Sequence, residues 1–311
     1  MVGNGCVNDF SRTLSSHVWE SLIPSSAITV FSGGTEGVLT PHVTFIVQNP
    51  HSTGLYASVG RTRALQPHEV GTAEHARQVA LTIKQMLKEP RAQQEFQDEK
   101  DVQLVLVKCP LLTSAKIAAI KAQGLQPITE DTYESMAKSR YATAVGVSCG
   151  LDEIRDEDLA KVMADKSTKA YSCRASCSSG AELEDCHILI LASSLDTEPD
   201  RSRGPQLRAV SGKMIDAIDA NAIMVMLDEV KRENGKVVQV FVKAEADPSG
   251  TIRGMRHTMN TDSDIHSTRH ARAAVGGLVA GLVQDTAIYV SGGAEGQGPD
   301  GGGSLCMVYS I

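Results

Sequence analysis

A short serine turn occurs three times along the chain, and few folds accommodate that. Val30 to Gly37 reads Val-Phe-Ser-Gly-Gly-Thr-Glu-Gly. Cys177 to Leu183 reads Cys-Ser-Ser-Gly-Ala-Glu-Leu, and Tyr289 to Gly296 reads Tyr-Val-Ser-Gly-Gly-Ala-Glu-Gly. Each copy is Ser-(Gly/Ser)-Gly-(Thr/Ala)-Glu and leads towards an apolar, strand-like run. A punctuating turn that returns at long intervals marks a repeated structural unit. Three serines on three equivalent turns point to one ligand held by three copies of one site.

The repeat extends beyond the turn. Leu55 to Gly60 reads as extended, and Ala76, Val79, Ala80, Ile83 and Leu87 then give a helix with an apolar stripe of 3.6-residue period. Val102 to Val107 reads as a buried strand that ends at Lys108. From Leu207 the order returns: an extended piece, a helix with Ile218, Ala222, Val225 and Met226 on one face, and a strand Val237 to Val242 ending at Lys243. Ser11-Arg12, Ser139-Arg140 and Thr268-Arg269 each open a helix ahead of the next serine turn. Strands follow the turns at His42 to Val47, His187 to Leu191 and Cys306 to Ile311. One unit is therefore strand, helix, strand-Lys, Arg-helix, Ser-turn, strand, and the fold class is α/β (α+β). The expected units are 1–52, 53–200 and 201–311. The first copy lacks its front half and its lysine, so the first unit is expected to begin upstream of Met1, with either the chain or its assigned start truncated.

Lysine, arginine and serine in this order suit acyl chemistry on an amide or imide. A serine hydroxyl needs a base to become nucleophilic, and a lysine serves once its amine is neutral. Burial at the end of an apolar strand depresses a lysine pKa in that direction. Glycines after the serine let backbone N–H groups approach a developing oxyanion, and an arginine holds a carbonyl oxygen through several N–H donors. A lone Ser-Gly-Gly is ordinary turn chemistry; the recurrence of all three residue types in one order raises it above that, although repeats can also be purely architectural.

Composition narrows the class further. A net charge of -7 with scattered basic residues and only 4% aromatic residues argues against a nucleic-acid partner. No apolar run approaches the roughly 20 residues that span a bilayer, and the start lacks a signal-peptide pattern. The seven cysteines contain no Cys-x-x-Cys pair and read as free thiols of a reducing, cytoplasmic compartment. His257, His266 and His270 lie near Asp262 and Asp264 but meet no metal-ligand spacing, and the helix start at Thr268 accounts for the polarity. No Gly-x-x-x-x-Gly-Lys-Ser/Thr phosphate loop is present.

Longer stretches carry a resemblance. Gly3 to Asp9, Ser32 to His42, Val107 to Thr113, Asp131 to Met136, Lys243 to Ala246, Gly254 to Met259, Asp262 to Arg272 and Ser291 to Pro299 resemble the ring-opening amidohydrolases known as cyanuric acid hydrolases and barbiturases. The resemblance covers essentially the whole chain. It implies three homologous units around a pseudo-threefold axis with a central active site, one Lys, Arg and Ser from each unit. Cyanuric acid, a flat ring with three equivalent carbonyls, fits three equivalent clamps. The resemblance implies Ser178 as nucleophile and Lys108 as its base. It implies Arg12, Arg140 and Arg269 on ring oxygens, with Ser32, Gly33, Ser179, Lys243, Ser291 and Gly292 completing the clamps. It also implies a structural Mg2+ or Ca2+ at Glu245, Ala294, Gln297, Gly298, Pro299 and Gly302, no organic cofactor, and a homotetramer. The family's first-unit lysine lies in Gly-Lys-Thr-Glu-Gly-Asn-Gly, whereas here Met1-Val2 replaces everything up to the glutamate. Ile265 falls where the family tunes substrate choice. Barbituric acid as substrate, and a non-catalytic paralogue that only binds the ring, are the alternatives.

Overall fold

The computed structural model describes residues 1–5, 9–33, 36–47, 54–89, 99–165, 170–193 and 206–311, and of residues 2–5 and 9–13 the backbone alone. Among the described residues thirteen strands form three principal sheets and a small hairpin. The first sheet holds β1 (Val2–Gly5), β2 (Val30–Gly33) and β3 (His42–Thr44). The second holds β4 (Tyr56–Arg61), β5 (Val102–Pro110), β6 (Ala175–Gly180) and β7 (His187–Ala192). The third holds β8 (Leu207–Met214), β9 (Lys236–Ala244), β12 (Tyr289–Gly292) and β13 (Gly303–Ser310). β10 (Thr251–Ile252) and β11 (Met255–Arg256) are the hairpin.

Strand order establishes the repeat. The second sheet runs β4-β7-β5-β6 and the third β8-β13-β9-β12, so in both the opening strand, the final strand, the lysine strand and the serine strand lie side by side in that sequence. The first sheet runs β3-β1-β2, the same order without an opening strand among the described residues. Lysine and serine strands pair in parallel, Lys108 opposite Ser178 and Lys243 opposite Ser291. In the first sheet the register position opposite Ser32 is held by Asn4. The boundaries expected near 52 and 200 lie outside the described residues.

The second and third sheets each have two packed faces. Leu104, Leu106, Leu189, Leu191, Phe241, Tyr289, Cys306, Val308, Ile28 and Val30 form one core where the three sheets meet. Each large apolar side chain buried there contributes roughly 1.5–3 kcal/mol. The alternate residues, Val105, Val107, Ile188 and Ile190 in the second sheet and Val240, Val242, Val290 and Met307 in the third, pack under helices. Those helices are α2 (Ala73–Leu87) and α4 (Thr132–Gly150) over the second sheet, and α6 (Ala220–Arg232) and α7 (Ser267–Val283) over the third. α1 (Asp9–Glu20), α3 (Ser114–Ala122) and α5 (Leu159–Ala164) complete the set among the described residues.

Four readings are corrected. Lys108 and Lys243 do not end their strands: β5 continues to Pro110 and β9 to Ala244, because both lysines find polar partners inside the core. Ser139-Arg140 lies within α4 rather than opening it, since the Asp131 carboxylate accepts the Glu134 N–H at 2.7 Å and starts the helix earlier. In α6 the buried face is Ile223, Met226 and Val230. Asp219 caps that helix through the Ala222 N–H at 3.1 Å, which leaves Ile218 outside it and exposed, and Val225 points to solvent. The strand expected over His42 to Val47 ends at Thr44, and Phe45 and Val47 are exposed. Among the described residues no helix is long and apolar enough to cross a membrane.

Candidate active site

Side chains alternate across a strand, so Lys108 shares the inner face of β5 with Leu104 and Leu106, and Lys243 shares that of β9 with Phe241. By the same rule Ser32, Ser178 and Ser291 face inward from the three serine strands. The central core is thus capped at one end by a layer of lysine and serine. Above it lies a cavity of about 360 Å³ lined by Ser32, Gly33, Ser178, Ser179, Ser291, Gly292, Arg140, Arg269, Glu245 and Glu295 among others. The structure therefore gathers serines from all three units and arginines from two of them. The Arg12 side chain lies outside the described residues, while its backbone is in the first turn of α1.

The lysines bridge units. Lys108 Nζ donates to the Phe31 carbonyl at 2.6 Å, and Lys243 Nζ donates to the Cys177 carbonyl at 2.8 Å. Each acceptor immediately precedes the serine of the neighbouring unit. Beyond that the two differ. Lys243 also lies 3.0 Å from Ser291 Oγ and 3.2 Å from the Gly292 carbonyl, and burial, helped by the Arg140 charge, pushes its pKa down to about 7. Lys108 has a carboxylate, Glu182, at 3.4 Å. Ser178 Oγ and Ser179 Oγ are buried and close no hydrogen bond within the protein.

The turn glutamates decide this difference. Glu295 takes Arg140 in a two-pronged pair, Nε at 2.8 Å and Nη2 at 2.6 Å, and Glu36 takes Arg272 in the same manner at 3.1 and 2.7 Å. Both pairs join one unit's serine turn to another unit's helix. Glu182 instead folds back to Lys108. A side chain at Gly180 would collide with the Glu182 carboxylate, and one at Gly293, whose φ is +77°, would collide with the Arg140 guanidinium. Glycine is required at both places for these charges to approach. Sequence reading missed these ion pairs, although the glutamate was present in every copy of the turn.

The residues expected around an ion also come together. Glu245 lines the cavity and accepts the Gly301 N–H at 3.2 Å. Burial, reinforced by Glu295, raises its pKa to about 7. The 294–302 turn is closed by Gln297 N–H to the Ala294 carbonyl and Gly302 N–H to the Pro299 carbonyl. The Gln297 side-chain oxygen accepts the Cys177 N–H at 2.5 Å, which ties this turn to the middle unit's serine strand. A buried carboxylate beside a second one, with backbone carbonyls nearby, fits a hard cation. His266 caps α7 and lines the cavity, stacked on Tyr133 at 4.7 Å between ring centres, and His270 pairs with Asp262 at 2.8 Å. Ile265 adjoins the cavity lining and is exposed.

Comparison with known proteins now bears on this geometry. Residues 2–310 match the family model for the amidohydrolase ring-opening protein. The chain belongs to that ring-opening amidohydrolase family. It is 59% identical over 309 residues to a cyanuric acid amidohydrolase of Sarocladium sp, covering 99% of this chain and 87% of the relative. It is 52% identical to one of Pseudonocardia dioxanivorans, covering 99% and 88%. A solved cyanuric acid hydrolase described as an evolutionary innovation by structural concatenation superposes with a TM-score of 0.83 at 35% identity, covering 100% of this chain and 90% of that one. A cyanuric acid hydrolase from A. caulinodans gives 0.85 at 37%, covering 99% and 88%.

Proposed function

We propose that the chain opens the ring of a cyclic imide by hydrolysing a C–N bond, with cyanuric acid as the substrate and a carboxylated biuret, which loses CO2 to give biuret, as the product. The observation that carries this reading is the layer of buried lysines and serines from successive repeat units beneath one arginine-lined cavity. A ring with three like carbonyls meets like groups from each side. The curated relatives named above act on cyanuric acid.

In this reading Ser178 Oγ attacks a ring carbonyl carbon and Lys108 receives its proton. The tetrahedral intermediate collapses with loss of the ring nitrogen, which takes a proton, and water then hydrolyses the serine ester. Arg269, Arg140 and, from the first unit, Arg12 hold ring oxygens, with Ser32, Gly33, Ser179, Ser291 and Gly292 around them. Arg140 uses Nε and Nη2 on Glu295, which leaves Nη1 for the ligand. A second reading makes Ser291 the nucleophile and Lys243 the base. It is favoured by their 3.0 Å contact and a lysine pKa of about 7, which supplies neutral amine at physiological pH.

Glu245 and the backbone oxygens of Ala294, Gln297, Gly298, Pro299 and Gly302 are the ligand set we assign to Mg2+ or Ca2+. Such an ion supplies charge neutralisation for Glu245 beside Glu295 and fixes the turn that carries Gln297. The three units are 1–52, 53–200 and 201–311. The test is incubation of the purified chain with cyanuric acid and, separately, barbituric acid, following the loss of ultraviolet absorbance and the formation of biuret. Loss with cyanuric acid is expected; turnover of barbituric acid alone reassigns the ring, and a folded chain that opens neither contradicts the reading.

A further inference from the structure

One buried polar group at the centre of the molecule is used by none of the chemistry above. Tyr289 is fully buried, its ring packed against Phe241 at 5.6 Å between centroids, in the core where the three sheets meet. Its hydroxyl closes no hydrogen bond within the protein. A buried phenol normally finds a partner, because an unmet hydroxyl costs stability. Phenylalanine fills the same space without that cost, so a retained orphan hydroxyl calls for a role.

Its position supplies one. Tyr289 and Ser291 are two residues apart on β12 and point to the same side. Ser176 and Ser178 on β6, and Val30 and Ser32 on β2, repeat the relation, and β12 lies against both of those strands. One layer below the three serines the inward positions are therefore Val30, Ser176 and Tyr289. Of these only the tyrosine is long enough to rise towards the serine layer. Burial raises the phenol's proton affinity, so the hydroxyl stays protonated at neutral pH and remains a donor. Beside it, Ser178 Oγ is also buried and without a hydrogen bond.

We propose that Tyr289 is a positioning residue for the ring-opening reaction: its hydroxyl, unmet in the resting protein, donates to Ser178 Oγ from below once the ring is bound and that oxygen gains charge. The inference rests on the reading of Ser178 as nucleophile. When Ser178 gives up its proton, the oxygen gains negative charge in a buried layer, and a fixed donor there stabilises it. No proton leaves the tyrosine.

The test compares wild type with Tyr289→Phe in three measurements: kcat and KM on cyanuric acid, the rate at which a fluorophosphonate labels Ser178, mapped by peptide mass spectrometry, and Tm. We expect kcat to fall about 10- to 100-fold, KM to stay within about twofold and labelling to slow in parallel, while Tm is unchanged or higher because an unmet hydroxyl has been removed. A fall in Tm together with activity overturns the proposal, since it marks a structural hydrogen bond; so does an unchanged kcat and labelling rate, or a wild-type Ser178 that the probe never labels. If wild type opens no ring but the substitution still slows labelling at unchanged Tm, the substrate assignment fails and the role of Tyr289 stands. Tyr289→Leu, which also removes the ring, is the control for lost packing and is expected to lower Tm.

Discussion

Lys108 and Lys243 occupy the same place in the same strand order, each opposite a serine in a parallel pair and each bonded to the carbonyl that precedes a neighbouring unit's serine. Their electrostatic settings differ. Lys108 has the Glu182 carboxylate beside it, whereas the corresponding Glu295 is bound by Arg140 and Lys243 is left with dipoles alone for direct partners. Duplicated backbone geometry therefore fixes where each lysine stands, and one carboxylate's choice of partner sets its electrostatic surroundings.

The largest expected effect separates the two lysines. A general base contributes about 10²- to 10⁴-fold, so Lys108→Met should lower kcat by that order. Lys243→Met should cost about tenfold by loosening the Cys177 carbonyl and Ser291. Steady-state kinetics on cyanuric acid check the order, and its reversal moves the chemistry to the third unit. Next, Glu295→Gln removes the charge that holds Arg140 and should raise KM about tenfold, since a buried pair broken on one side leaves the other unpaired. Glu36→Gln, acting through Arg272, should do less.

The fold was legible because it is repeated. Strand, helix and turn signals that are weak singly recur in order, and the structure returns them with the same neighbours. Local detail was less legible. The start of α4 depended on the Asp131 cap, and the stripe of α6 was right at Met226 but misplaced at Ile218, which is apolar yet precedes the Asp219 cap. In the site, the lysines, the serines and two arginines were readable as residue types in an order. Which carboxylate pairs with which cation was not, because Glu36–Arg272 and Glu295–Arg140 join residues far apart in sequence and in different units. Tyr289 carried no polar signal, standing in an apolar run where an aromatic reads as core.

A smaller effect concerns stability. Glu245 has its folded pKa raised from 4.5 to about 7. The folded state thus binds more protons than the unfolded one between those values, stability falls as pH rises through that window, and the penalty is complete above it. Glu245→Gln should therefore raise Tm by a few degrees at pH 8 without divalent ions and converge on wild type below about pH 4.5. Adding Mg2+ or Ca2+ should raise the wild-type Tm and leave the variant unmoved; equal shifts in both exclude Glu245 as a ligand. Lys243 has the opposite sign. Its folded pKa is lowered from 10.5 to about 7, so its penalty is greatest below 7 and fades towards 10.5.

The most direct test sets the serines of the second and third sheets side by side. Ser178→Ala and Ser291→Ala are assayed on cyanuric acid under one set of conditions, with Tm measured for both. The account predicts that Ser178→Ala falls to background while Ser291→Ala retains measurable turnover with a raised KM. Turnover that survives in Ser178→Ala and vanishes in Ser291→Ala would contradict it.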